Sequence, residues 1–179
     1  PANYDVKVNK TWDKYKFVGR ELRGKTLGIL GFGRIGQTTG RIAKALGMKV
    51  LAYDPYVKEL PEEFQSYVTL CGENEVISGC DFLSLHLPLN DETRNMISAP
   101  QLASMKAGAY VINAARGGIV NEKDLYEALV SGHIAGAAMD VSEVEPMAEE
   151  NPLRTLDNVI ITPHIGMYSK EAIGAVSLI

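Results

Sequence analysis

The stretch Thr26-Leu27-Gly28-Ile29-Leu30-Gly31-Phe32-Gly33-Arg34-Ile35-Gly36 decides the fold of this 179-residue chain. Its first five residues are a short apolar run with no polar alternation, the pattern of a strand buried on both faces. The glycines that follow are spaced G-x-G-x-x-G. In a turn between a strand and a helix, Gly31 permits the tight bend and Gly33 lets backbone approach a pyrophosphate, while Gly36 lets the helix lie close on the strand. The helix is predicted over 35–46, with Ile35, Ile42, Ala43 and Leu46 on one face and Gly47 as its stop. Its N-terminus offers free N–H groups and the positive end of the helix dipole to phosphate oxygens.

Working outward, the next apolar run, 49–53, ends at Asp54-Pro55. Asp54 falls 18 positions after Gly36, where a carboxylate accepts hydrogen bonds from both hydroxyls of an adenosine ribose. The same carboxylate repels a 2′-phosphate and so favours NAD over NADP. Asp54-Pro55 is also readable as a plain turn starter. Further strands are predicted near 67–70 and over 81–87, 109–113, 134–141 and 159–162. Helices are predicted between them: one from about residue 73, one over 99–105 with Pro100 in its first turn, and one over 122–131 between Asn121 and Gly132. Apolar strands alternating with helices mean an α/β fold, a doubly wound parallel sheet of Rossmann type with helices on both faces.

Composition narrows the function classes. Hydrophobic residues at 46% and charged residues at 22% are those of an ordinary soluble globular domain. The net charge of −4 is spread over interspersed acids and bases, without the basic stripe a nucleic-acid partner needs. No apolar stretch is long enough to span a bilayer, and residues 1–10 contain no signal-peptide core. Cys71 and Cys80 stand in apolar contexts, which fits reduced thiols in a cytoplasmic protein. No metal site is expected.

Three ionisable residues fall after successive predicted strands, where open α/β sheets place their sites. Arg116 stands in Asn113-Ala114-Ala115-Arg116-Gly117-Gly118, Glu145 in Asp140-Val141-Ser142-Glu143-Val144-Glu145-Pro146, and His164 in Thr162-Pro163-His164-Ile165-Gly166. An arginine fork holds a carboxylate, and a histidine beside a glutamate exchanges protons near neutral pH. Each has a plainer reading: a surface arginine in a glycine-rich loop, a solvated carboxylate rivalled by Glu143, a histidine capping a strand. His133 reads as a surface residue after a helix stop, and Met96, Met105 and Met139 as core.

These segments, with Glu21-to-Ile29, the glycine turn, His86-Leu87-Pro88-Leu89 and Gly136-to-Pro146, resemble the D-isomer-specific 2-hydroxy acid dehydrogenases, from about Trp12 to the end. The resemblance implies NAD as cofactor and hydride transfer between NAD(H) and a D-2-hydroxy or 2-oxo acid, of phosphoglycerate or hydroxypyruvate/glycerate type. It implies that Arg116 binds the substrate carboxylate and carbonyl, that His164 is the general acid/base and that Glu145 is its partner. Asp140 and the backbone of Ala114 and Ala115 would hold the nicotinamide carboxamide, and Arg116, His164 and Gly166 would also border the cofactor. Arg34 and Ile35 would offer backbone to the pyrophosphate, while Leu87, Pro88 and Thr93 would lie along the adenosine side, where His86 is structural.

Two positions depart from the family pattern. Ser142 replaces the usual aromatic, and Met167 replaces the usual small residue after His-x-Gly, so substrate choice is affected more than reaction type. Glu145 argues against a formate-dehydrogenase-like member, which carries glutamine there. The alternative function is a dinucleotide-sensing protein similar to the C-terminal-binding-protein corepressors. The resemblance also implies a homodimer. The chain is expected to comprise an arm over 1–22 with Trp12, Tyr15 and Phe17, an NAD-binding domain over 23–166, and over 167–179 the start of a helix returning to an absent substrate domain.

Overall fold

The computed structural model describes residues 2–176. Seven strands form one wholly parallel sheet: β1 (Thr26–Leu30), β2 (Lys49–Tyr53), β3 (Val68–Leu70), β4 (Phe82–Leu85), β5 (Ala109–Asn113), β6 (Ile134–Met139) and β7 (Val159–Ile161). Their order is β3-β2-β1-β4-β5-β6-β7. The chain reverses direction across the sheet between β1 and β4, which opens a crevice beyond the carboxyl ends of these two strands. Six helices accompany them among the described residues: α1 (Ala2–Lys7), α2 (Arg34–Ala45), α3 (Glu73–Gly79), α4 (Ala99–Ser104), α5 (Glu122–Val130) and α6 (Lys170–Val176).

The sheet is covered from both sides. Leu27, Ile29, Val50 and Ala52 meet Phe32, Ala43 and Phe64 on the α2 face. Leu30, Leu83, Leu85, Val111 and Met139 meet Val76, Ile77, Leu102, Leu125 and Leu129 on the α3–α5 face. Each fully buried aliphatic or aromatic side chain contributes about 1.5–3 kcal/mol, offsetting the entropy lost on ordering the chain. Over β5–β7 the α2 face is less covered, with Tyr110, Ile112 and Ala138 half-buried and Ile160 68% exposed.

The inward face predicted for the first helix is corrected. Gly36, Gly40 and Ala43 are the buried positions of α2, whereas Ile35, Ile42 and Leu46 are 71%, 57% and 48% exposed. The reason is distance: a Cβ on Gly36 would stand 2.1 Å from the Gly31 carbonyl oxygen. A helix this close to the sheet turns its smallest residues inward and leaves its large ones outside. The strand predicted over 81–87 is shorter, Phe82–Leu85, because His86 and Leu87 have left the sheet for the crevice. His133 is half-buried rather than a surface residue, its Nε2 lying 3.1 Å from the Met105 carbonyl oxygen. Met105 and Met139 are buried and Met96 packs against them, as core.

Over 4–22, the segment expected to form an arm, no side chain is buried. Trp12, Tyr15 and Val18 are 88%, 78% and 82% exposed. Where the arm enters the domain, Arg20 donates to the Gly108 carbonyl at 3.4 Å and lies over the Tyr110 ring. Cys71 and Cys80 are free thiols. Burial pushes the Cys80 thiol up to about 12, which makes it a packing group rather than a nucleophile. No helix among the described residues is long and apolar enough to cross a membrane.

Candidate active site

The crevice is built around the glycine turn. Gly31 has φ +91°, and a Cβ there would lie 2.5 Å from the His86 carbonyl oxygen. Only glycine fits, so β1 and β4 close on each other at the head of the crevice. Gly33 is the opposite case: a Cβ there meets nothing within 4 Å. Gly33 also caps α2 with no side-chain hydrogen bond, so the first-turn N–H groups of α2, those of Arg34 and Ile35 included, face open space. Free amides beside a bare glycine fit a pyrophosphate.

At the end of β2, Asp54 accepts the Phe32 N–H on Oδ2 and the Tyr56 N–H on Oδ1, both at 2.9 Å. Its carboxylate thus borders the cradle. Across the crevice Leu87 is half-buried and Pro88 exposed. Thr93 is 8% exposed, and its hydroxyl is turned into its own loop, donating to the Pro88 carbonyl at 2.7 Å and accepting the Asn90 N–H at 2.9 Å. His86 Nε2 lies 3.0 Å from Ser84 Oγ, and burial lowers its affinity for a proton.

The loops after β5, β6 and β7 converge on one another at the same carboxyl edge of the sheet. Asn113, fully buried at the end of β5, donates from Nδ2 to the Arg116 carbonyl at 2.9 Å and accepts the Ala115 N–H at 3.1 Å. This clamp shapes the turn Ala114-Ala115-Arg116 and leaves Arg116 exposed, its Nη1 2.6 Å from the Ala115 carbonyl oxygen. Next to it, a Cβ on Gly117 would stand 1.8 Å from the Ser142 carbonyl oxygen, so the two loops touch backbone to backbone.

Asp140 organises the loop after β7. It accepts the Thr162 hydroxyl at 2.5 Å, the Ile165 N–H at 2.9 Å and the Gly166 N–H at 2.8 Å, while its carbonyl accepts the His164 N–H at 2.8 Å. Burial works against the Asp140 charge, but these donors and the nearby His164 outweigh it and hold the carboxyl below the usual carboxylate range. His164 is thereby kept at φ +54°, in the left-handed region.

In that pose His164 Nδ1 lies 2.8 Å from Glu145 Oε2. The hydrogen bond from His164 holds the Glu145 carboxyl below its usual range; desolvation opposes this, and the Ser142 N–H on Oε1 supports it. An ionised carboxylate only accepts, so Nδ1 carries the hydrogen and Nε2 is the atom left for proton exchange. Behind the pair lies a cavity of about 770 Å³ with Met147, Leu153, Val159 and Ile161 on its wall. The arrangement offers a guanidinium fork and an imidazole with its orienting carboxylate on the carboxyl edge of the sheet that also carries the glycine turn.

The candidate site residues Asp54, Leu87, Pro88, Ala114, Ala115, Arg116, Asp140, Glu145, His164 and Gly166 all lie at or after the carboxyl ends of strands, and the Thr93 hydroxyl is turned into its own loop. Sequence reasoning missed Asn113 and Gly117. The signal for Asn113 was a polar residue closing an otherwise apolar strand; Gly117 left none, since its constraint comes from a loop 25 residues later.

Fold and cradle together define a nicotinamide-dinucleotide-binding domain of Rossmann type. The chain belongs to the D-isomer specific 2-hydroxyacid dehydrogenases, whose NAD binding domain residues 2–166 match. It is 49% identical over 161 residues to a D-3-phosphoglycerate dehydrogenase of Methanocaldococcus jannaschii, covering 90% of this chain and 30% of that one. It is 47% identical over 175 residues to a hydroxypyruvate reductase of Thermotoga maritima, covering 96% and 55%. A crystal structure of D-lactate dehydrogenase from Aquifex aeolicus, complexed with NAD and lactic acid, superposes with a TM-score of 0.84 at 34% identity, covering 98% of this chain and 56% of that one. The chain thus spans about a third to about half the length of these relatives.

Proposed function

We propose that the protein carrying this domain is an NAD-dependent dehydrogenase of D-2-hydroxy acids, acting on a phosphoglycerate or a hydroxypyruvate/glycerate. The reading rests above all on one observation: His164 Nδ1 lies 2.8 Å from Glu145 Oε2, which leaves Nε2 for a substrate hydroxyl. Arg116 holds the substrate carboxylate and draws charge toward the carbonyl oxygen. His164 Nε2 takes the hydroxyl proton in oxidation and returns it in reduction. Glu145 fixes the imidazole and stabilises its charged form. Asp140, with the backbone of Ala114 and Ala115, orients the carboxamide end of the cofactor, and Gly166 closes the same corner. NAD supplies the hydride-accepting ring.

The test is NADH oxidation by the full-length protein against a panel of 2-oxo acids that includes phosphohydroxypyruvate, hydroxypyruvate, glyoxylate and pyruvate. Turnover of one of the first two is expected. Tight NADH binding with no turnover of any would overturn the reading in favour of a dinucleotide-sensing protein.

The protein is further read as a cytoplasmic homodimer. Support comes from two unpartnered apolar surfaces, the arm with Trp12 and Tyr15 and the α2 stripe of Ile35, Ile42 and Leu46, since soluble monomers seldom expose contiguous patches of this kind.

A further inference from the structure

Between Glu143 and Asn151 the chain has no helix or strand, yet Glu145 has to hold one position to reach His164. Glu122, the first residue of α5, is 8% exposed. Its Oε1 accepts the Glu143 N–H at 2.7 Å, and its Oε2 accepts Asn151 Nδ2 at 2.6 Å. Glu143 answers with Oε1 on the Glu122 N–H at 3.0 Å. One buried carboxylate therefore grips both ends of the segment that carries Glu145. A buried carboxylate is tolerated when its oxygens are bonded, and the start of α5 adds the favourable end of a helix dipole. The apolar packing of α5 is carried by Leu125 and Leu129, and the third buried position, Glu122, is the polar one.

We propose that Glu122 is a positioning residue for the proton-transfer pair: by holding Glu143 and Asn151 it sets the reach of Glu145 to His164. The proposal rests on reading that pair as the acid–base machinery. Glu122 touches neither member of the pair and stands outside the NAD cradle. Glu143 is two residues from Glu145, so a slack Glu143 backbone passes directly into the glutamate that orients the imidazole. Glu145 is 41% exposed and exchanges its imidazole partner for water once the grip is gone.

Glu122→Ala and Glu122→Gln test this with two readouts. The first is the titration of the Glu145 carboxyl, followed by carbon NMR on this chain. It is low in the unmutated protein and is expected to move up toward the ordinary carboxylate range in Glu122→Ala. The movement is smaller in Glu122→Gln, which keeps one acceptor oxygen. Loss of stability alone would leave that titration in place. The second readout is kinetics of the full-length protein: kcat is expected to fall about tenfold to a hundredfold, as a displaced catalytic group does, with the affinity for NADH unchanged. If Glu122→Ala does not fold, Glu122→Gln decides. A Glu145 titration that stays put in a folded, NADH-binding variant overturns the proposal. A titration that moves in a protein with no turnover supports the positioning and overturns the enzymatic reading alone.

Discussion

Asp54 Oδ2 accepts the N–H of Phe32 at 2.9 Å, so the carboxylate proposed to meet the ribose also fastens the middle of the glycine turn. Each of its oxygens keeps a second lone pair for a ribose hydroxyl. NAD is expected to bind at least about tenfold more tightly than NADP, roughly 1.4 kcal/mol, by calorimetry on this chain. Asp54→Asn should narrow that gap while also weakening NAD, because the turn loosens with it. Equal affinities in the unmutated protein would remove Asp54 from the ribose.

Gly33 and Gly36 separate binding from folding. Gly33→Ala adds a methyl group to open space, so its melting temperature should match that of the unmutated chain while NAD affinity is lost. Gly36→Ala drives a Cβ toward the Gly31 carbonyl at 2.1 Å and should cost about 1–3 kcal/mol of stability, as overpacking does. A Gly33→Ala variant with normal NAD binding would place the pyrophosphate elsewhere.

His164→Gln in the full-length protein is expected to lower kcat by about 10²–10⁴-fold, the usual contribution of a general acid–base group. NADH affinity should hold, because the cradle does not depend on the imidazole. Retention of most of the turnover would take the proton-transfer role away from His164.

Stability should fall in acid through two carboxylates. Asp140 and Glu145 both titrate below the usual range in the folded chain. The folded state therefore binds fewer protons than the unfolded one. The stabilisation is complete above the unfolded value, about 4, and is lost as pH falls through the folded values. Thermal melts between pH 7 and pH 2 should show this loss, and Asp140→Asn should flatten the decline. An equally steep decline in that variant would assign the acid loss to other groups.

The arm gives a test of association. Light scattering at micromolar concentration is expected to return the mass of a dimer, with Trp12 protected from protease, and Trp12→Ala with Tyr15→Ala should shift the population toward monomer. A monomeric mass with a protease-labile arm would argue against the dimer.

The cradle was legible in sequence because its logic is local: three glycines, a strand before them, a helix after, and an acid at the end of the next strand. The parallel sheet with helices on both faces follows from the same alternation of elements, whereas the order of its strands came from the structure. The buried face of α2 was not legible, since counting apolar side chains measures hydrophobicity and not the room between helix and sheet. Glycine reads as neutral in such a count, although Gly36 and Gly40 are what lets α2 approach. Likewise the sequence pointed to His164, Glu145 and Arg116 by their residue types. Of the groups around them, Asn113 acts within its own turn and left a trace as the polar end of an apolar strand, whereas Gly117 and Glu122 act through loops more than twenty residues away that no local pattern encodes. Thr93 was placed along the cofactor by resemblance, whereas its hydroxyl is spent on Pro88 and Asn90 within its own turn.

The contact of Gly117 with the Ser142 carbonyl bears on how the protein moves. With no space between them, the Arg116 loop cannot slide past the loop that carries Glu145, and Asn113 and Asp140 anchor both to adjacent strands. The turn of Arg116 and the loop of Glu145 are therefore parts of a single stiff jaw. In the proposed reading, a substrate would meet the two groups as one preformed surface, since neither loop shifts without the other.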